Sequence, residues 1–74
     1  MFGLGKKRSK LGRFLDKKGY TQQDLSRAAK IDKATASKVC NDDSYLPSGT
    51  TIQKIMKAIK QLDPNKKAED FFNL

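Results

Sequence analysis

Five of the six residues from Lys33 to Lys38 combine hydrogen-bonding and small apolar side chains, and the stretch contains no acid. The two lysines donate hydrogen bonds and can reach the O6 and N7 acceptors of a guanine edge. Thr35 and Ser37 carry hydroxyl groups, which both donate and accept, and the methyl groups of Ala34 and Thr35 suit the methyl group of thymine. This chemistry fits contact with base edges in a DNA groove. The alternative for each lysine is a solvated surface charge.

A short helix is needed to present these side chains on one face. Asp32 is a good N-cap, because its carboxylate can accept a hydrogen bond from the first turn and suits the positive end of the helix dipole. Ala36, Val39 and Cys40 then fall on the inward face. The pattern predicts a helix over about residues 32–40, with Cys40 as a small core residue rather than a redox group.

Another helix is predicted directly before this one. Thr21 can cap it, and Asp24 is placed to reach back as the acid of a capping box. Tyr20 and Leu25 have the spacing of a hydrophobic staple. Small residues allow two such helices to cross closely over a short joint. The small contact residues are predicted to be Ala28, Ala29 and Ala36. The pair has the arrangement of a helix-turn-helix.

Two further segments border this pair. The first helix is predicted to begin with Ser9 as its cap and to end near Lys18, where Gly19 suits a left-handed stop. Residues 41–49 are dense in turn-forming residues and predict a loop after the helix at 32–40.

The fourth helix has the clearest amphipathic pattern in the chain. Thr50 and Gln53 have capping-box spacing, and an apolar stripe follows on one face. This stripe consists of Ile52, Ile55, Met56, Ile59 and Leu62. A last short helix over residues 68–73 contains Phe71 and Phe72, and one of these adjacent side chains must then face partly outward. The predicted fold is all-α, with five helices.

The positive charge is concentrated in the half of the chain that holds the helix-turn-helix. The net charge of the 74 residues is +8. Residues 1–40 contain eleven Lys or Arg and three Asp, a balance of +8, whereas residues 41–74 contain five Lys and five acids. A lysine-rich surface can serve solubility alone. Its coincidence with the helix-turn-helix favours binding to a polyanion.

Length and composition argue against several functional classes. A domain of this size buries only about 60% of the surface that its unfolded chain exposes, which leaves little core for a deep catalytic cavity. The chain has no histidine and a single cysteine, which disfavours disulfides, thiol–His catalysis and most zinc sites. We therefore expect no enzyme activity, metal, cofactor or small-molecule ligand. The apolar start from Met1 to Gly5 is too short for a signal peptide, and we expect a cytoplasmic protein that associates with the nucleoid when bound to DNA.

These features resemble the Cro/CI-type helix-turn-helix family, also called XRE or lambda-repressor-like regulators. The resemblance covers roughly residues 9–74. Within the helix pair it rests on the segment TQQDL from Thr21 to Leu25, on Ile31 and Asp32, and on Ala36 and Val39. Elsewhere it rests on Leu11, Phe14, Leu15, Pro47, Thr50, Ile52, Ile55, Ile59, Leu62, Phe71 and Phe72.

The chain also departs from the family at two positions. Gly is frequent in the family where this chain has Lys30, at a position that favours left-handed backbone, and Glu is frequent where it has Cys40. Residues 1–8 precede the matching region, and we expect them to form a flexible basic arm ahead of a single domain at residues 9–74.

The resemblance implies a compact five-helix domain that binds operator DNA, with helix 32–40 in the major groove. The base-reading candidates are Lys33, Ala34, Thr35, Ser37 and Lys38. The phosphate-contact candidates are Gln22, Gln23, Arg13, Lys30, Thr50, Thr51 and Lys54. Capping alone explains Thr50 equally well, and Gln22 has the alternative of an ordinary solvated residue. A weak homodimer, favoured on DNA, is expected to use Phe72 and Leu74.

The sequence thus predicts a sequence-specific regulator of transcription that binds duplex DNA, a repressor of phage or mobile-element type. A second interpretation is a protein-interaction module on the same fold, an antitoxin or antirepressor, whose aromatic C-terminal end binds another protein. Such a module should expose aromatic residues on the face at 33–38, which has none. A third interpretation is a basic peripheral membrane protein using Phe2, Leu4 and Lys6 to Arg8, but a long amphipathic basic helix is missing.

Overall fold

A computed structural model describes residues 8–72, which form four α-helices and, over that range, no β-strand. The helices are α1 (Lys10–Lys18), α2 (Gln22–Ala29), α3 (Lys33–Asn41) and α4 (Gly49–Leu62). The all-α class and the first four predicted helices are confirmed. The fifth is wrong, because a single 3-10 turn at Ala68–Asp70 stands in its place.

The C-terminal segment forms a single 3-10 turn and does not extend into a longer helix. The carbonyl oxygen of Ala68 accepts hydrogen bonds from Phe71 N at 3.0 Å and from Phe72 N at 2.9 Å. A helix this short is unfavourable, since the first turn fixes several residues for one hydrogen bond. Phe71 and Phe72 are 8% and 7% exposed, so the expectation that one of them faces outward is wrong. The spacing of about 100° between neighbouring side chains holds only within a regular helix.

The core lies between the four helices and this C-terminal turn. Its fully buried side chains are Leu11, Leu15, Leu25, Val39, Cys40, Ile55 and Ile59. The apolar stripe of α4 is confirmed, with Ile52 and Leu62 partly buried at its ends. Burial raises the pKa of the Cys40 thiol, in agreement with its predicted role in the core. Ala29 and Ala36 are buried as predicted, but Ala28 is exposed.

Three of the four predicted helix caps are confirmed. The side chains of Ser9, Thr21 and Asp32 each accept a hydrogen bond from the backbone N–H three residues on. The fourth prediction is wrong, because Ser48 rather than Thr50 caps α4, accepting from Thr51 N at 3.3 Å. Serine is the stronger N-cap residue of the two, and α4 accordingly starts earlier than predicted.

Ser9 and Gly12 fasten α1 to the end of α3. Ser9 N donates to Cys40 O at 3.0 Å, and the Ser9 hydroxyl donates to Val39 O while accepting from Gly12 N. A Cβ atom on Gly12 would lie 2.1 Å from Cys40 O, which only glycine avoids. The position of α3 is therefore set by direct backbone contact with α1.

Candidate nucleic-acid interface

The N-terminus of α2 is closed by a reciprocal pair of hydrogen bonds. Thr21 Oγ1 accepts from Asp24 N at 3.0 Å, and Asp24 Oδ2 accepts from Thr21 N at 2.9 Å, which confirms the predicted capping box. These hydrogen bonds with Thr21 lower the pKa of Asp24. Gln22 and Gln23 are the first two residues of α2 and lie at the positive end of its dipole. An anion approaching this end meets backbone N–H groups and two side-chain amides.

The turn between α2 and α3 is held by Ser26 and Lys30. Lys30 has left-handed backbone, with φ 56° and ψ 47°. This conformation was expected, because the family that the chain resembles often has Gly at this position. Ser26 O accepts from Ile31 N at 3.1 Å, and Ser26 Oγ donates to Ile31 O at 2.6 Å. The role of Ser26 was missed by the sequence analysis. The sequence feature that could have indicated this role is a serine near the end of α2, where a hydroxyl can hydrogen-bond to nearby backbone.

The start of α3 is fixed by Asp32. Its Oδ1 accepts from Thr35 N at 3.0 Å, and the hydrogen bonds with Thr35 lower the pKa of Asp32. The predicted outward face is solvent-accessible: Lys33, Ala34 and Lys38 are exposed, and Thr35 and Ser37 are half-buried.

A shallow groove runs between the N-terminal ends of α2 and α3. It is lined by Thr21, Gln22, Gln23, Lys33 and Ala36. The fold thus brings two predicted phosphate-contact residues beside one predicted base-reading residue, and the groove's lining contains no acid. Amide and ammonium groups here offer hydrogen-bond donors to an anionic ligand.

Lys38 lies toward the other end of α3. Its Nζ is 5.5 Å from the centre of the Tyr45 ring, a distance at which the ring face attracts a cation. Tyr45 is half-buried against the core in the loop after α3. Tyr45 was not predicted as a functional residue, although an aromatic residue in a turn-rich loop is a recognisable sequence feature.

The side chain of Asn41 forms hydrogen bonds with several polar groups near the groove. Its Oδ1 accepts from Arg8 Nη1 at 2.8 Å, and its Nδ2 donates to Ser37 O at 3.0 Å and to Gln22 Oε1 at 3.5 Å. Asn41 was not predicted as a functional residue because the turn-rich composition of residues 41–49 indicated a loop. It is instead the last residue of α3.

Arg8 ties this group to α1. Its Nη2 lies 2.9 Å from Asp16 Oδ1, and its Nε donates to Asp16 Oδ2 at 3.1 Å. Arg8 is the last residue of the predicted arm, and here it joins α1 to α3. Residues 1–7 of that arm lie outside the described residues.

The other phosphate candidates do not line the groove between α2 and α3. Lys30 and Lys54 share a second shallow groove formed by α2 and α4. Arg13 lines a third, beside Phe14 on α1 and the C-terminal turn. Thr50 is exposed in the first turn of α4, whereas Thr51 is half-buried and its hydroxyl is 3.0 Å from that of the capping serine.

The two predicted dimer contacts, Phe72 and Leu74, stay predictions. Phe72 is only 7% exposed and offers a second copy little surface. Leu74 lies outside the described residues. Among residues 8–72 the large hydrophobic side chain that is exposed is Leu46, at 52%, in the loop between α3 and α4.

A family model of Cro/C1-type helix-turn-helix DNA-binding domains matches residues 10–60, from the first residue of α1 to near the end of α4. No significant match is found among curated proteins or solved structures. Within residues 8–72, no helix combines the length and apolar character needed to cross a membrane.

Proposed function

The chain belongs to the family of Cro/C1-type helix-turn-helix DNA-binding domains, and we propose that it is a sequence-specific transcriptional regulator that places α3 in the major groove. In this role Lys33, Ala34, Thr35, Ser37 and Lys38 approach the bases. The N-terminus of α2 contacts the phosphate backbone beside them.

The observation that carries this proposal is the acid-free groove between α2 and α3. Lys33 at the start of α3 lines it together with Gln22 and Gln23 at the start of α2. A side chain that reads a base needs phosphate contacts close by, because these fix the register of the protein on the duplex. The two nearby acids both accept backbone hydrogen bonds: Asp24 accepts from the N-cap residue Thr21, and Asp32 accepts from Thr35 in α3.

The proposed regulator is a repressor of phage or mobile-element type, acting in the cytoplasm. Repression needs no surface beyond the one that binds DNA, since a bound domain excludes other proteins from the same site. The rival interpretation, a protein-interaction module, depended on exposed aromatic residues at the C-terminal end. Burial of both Phe71 and Phe72 removes that support.

Two copies are proposed to bind one operator. Nine residues form α3, a length of roughly 14 Å, so one copy can contact only a few base pairs. The Cα atoms extend 33 × 23 × 23 Å, while half-sites lie about 34–36 Å apart. Copies of this size on adjacent half-sites meet only at their edges, which supports a weak dimer favoured by DNA.

Selection of bound duplexes from a random pool, followed by affinity measurements over a range of salt, tests this function. We expect a palindromic consensus and an affinity that falls steeply with salt, since each neutralised phosphate contributes about 0.9 to the slope of log affinity against log salt. Lys60→Ala on α4 is the control for loss of one charge outside the three grooves. Failure to enrich any sequence, or affinity that ignores salt, contradicts the proposal.

A further inference from the structure

We propose that Asn41 and Arg8 are positioning residues, which hold the Gln22 side chain so that its NH2 group is turned toward a DNA phosphate. This inference rests on the proposed function, because the phosphate belongs to the bound operator. Neither Asn41 nor Arg8 is among the DNA-contact residues predicted from the sequence.

The orientation of the Asn41 and Gln22 side-chain amides follows from Arg8, whose guanidinium starts this series of hydrogen bonds. A guanidinium only donates, so the atom of Asn41 that lies 2.8 Å from Arg8 Nη1 must be the oxygen. The nitrogen of Asn41 then faces Gln22, at 3.5 Å, and Gln22 must present its oxygen in return. The Gln22 NH2 group is the end left for an external partner. A phosphate oxygen only accepts, so it is the complementary partner.

Because the Asn41 side chain is already hydrogen-bonded within the protein, it is better suited to positioning Gln22 than to contacting a DNA base. Its Oδ1 is bonded to Arg8, and its Nδ2 also donates to Ser37 O at 3.0 Å. Arg8 is in turn held by Asp16 through two contacts of 2.9 Å and 3.1 Å. The side chain of Gln22 is therefore linked through α3 to an ion pair anchored on α1.

Orientation matters because a glutamine amide has opposite ends. With the NH2 group outward, the side chain donates to phosphate; with the oxygen outward, it presents a partial negative charge to the same anion. A free glutamine would also have to be ordered on binding, and ordering a rotamer-rich side chain costs affinity. Removal of the Asn41 side chain should therefore lower the affinity for DNA by about threefold to tenfold. This loss corresponds to the net free energy of one hydrogen bond.

A double-mutant cycle on DNA binding is the central test. Asn41→Ala, Gln22→Ala and the double variant are compared by fluorescence anisotropy with the selected operator and with random duplex. We expect Asn41→Ala to weaken binding in the unaltered chain and to have no further effect once Gln22 is alanine. Equal losses in both backgrounds would indicate a purely structural role for Asn41 and overturn the proposal, as would no loss in either. Asn65→Ala, at an exposed position, is the matched control.

NMR of the free protein tests the hydrogen-bond chain without DNA. We expect Arg8→Ala to shift the side-chain amide resonances of both Asn41 and Gln22, because the hydrogen bonds of Arg8 reach Gln22 through Asn41. An unchanged Gln22 amide would overturn the proposal. If the unaltered chain fails to bind DNA, the proposed function fails together with the phosphate role, whereas DNA binding without coupling overturns the positioning role alone.

Discussion

At the scale of single residues, the two lysines of α3 have different surroundings. Lys33 lines the groove with Gln22 and Gln23, whereas Lys38 lies over the Tyr45 ring. A lysine ammonium donates to bases and phosphates alike. Only a comparison of specific and random DNA separates these two roles.

Replacement of either lysine by alanine should separate reading from anchoring. Loss of a base contact at Lys33 or Lys38 should cost about 1–3 kcal/mol at the preferred site and much less on random duplex. Gln22→Ala should instead weaken binding to all sequences evenly, because a phosphate carries no sequence information. Anisotropy titrations with both duplexes provide the measurement. Equal losses on the two duplexes for both lysines would mean that neither reads sequence.

The capping carboxylates should make folding stability sensitive to acid. Hydrogen bonds with Thr35 lower the pKa of Asp32 in the folded state. A depressed pKa means that the contribution of Asp32 is complete above its unfolded pKa of about 3.9 and is lost as pH falls through the folded value. Asp32→Asn keeps a neutral cap. The gap in Tm between the unaltered chain and this variant should therefore narrow on acidification below about pH 4, as followed by circular dichroism. A gap independent of pH would contradict this assignment.

At the scale of helices, the close approach of α1 to α3 depends on Gly12. An added Cβ would lie 2.1 Å from Cys40 O, so Gly12→Ala must push the helices apart. Overpacking of this kind costs roughly 1–3 kcal/mol, against a gain of about 1 kcal/mol in helix propensity. We expect a net loss of stability by urea denaturation and weaker operator binding.

Gly49→Ala is the matched control for that substitution. Gly49 is the first residue of α4, and a Cβ there meets no atom within 4 Å. Stability should be unchanged or slightly increased. Similar behaviour of the two alanine variants would contradict the close-contact explanation.

The left-handed end of α2 offers a stabilising substitution. Lys30 has φ 56°, a conformation that strains a residue with a side chain and that glycine adopts freely. Lys30→Gly should raise the free energy of unfolding by up to about 1 kcal/mol. Thermal denaturation measures this effect, and a lower Tm would show that the lysine side chain stabilises the turn by other contacts. A simultaneous loss of DNA affinity at low salt would support Lys30 as a phosphate contact.

At the scale of the whole molecule, the size of the domain constrains assembly on DNA. A longest extent of 33 Å is close to one turn of the duplex, so under the proposed function a single copy can place α3 in only one major groove. We expect footprinting to show two protected half-sites about 34–36 Å apart, with binding cooperative in protein concentration. Protection of a single half-site with non-cooperative binding would contradict the dimer. Moving the half-sites apart by half a turn is the control, since it places the second copy on the opposite side of the duplex.

Local features of this protein were determined by the sequence alone. The caps at Ser9, Thr21 and Asp32 join groups three residues apart, and the inward face of α3 follows from helical periodicity. Such interactions depend on residues close in sequence, so they can be predicted from a short segment of the chain. Even here the capping-box spacing of Thr50 predicted the wrong cap for α4, which Ser48 provides.

Only the tertiary structure decided which distant residues meet. Arg8 and Asn41 are 33 positions apart, and Gln22 and Asn41 are 19 apart, so no periodicity predicts their hydrogen bonds. The burial of Phe72 and the need for glycine at position 12 likewise depend on where other segments of the chain pass. Side-chain periodicity fixes the direction of a residue within its own helix, but the packing of separate helices determines what that residue contacts.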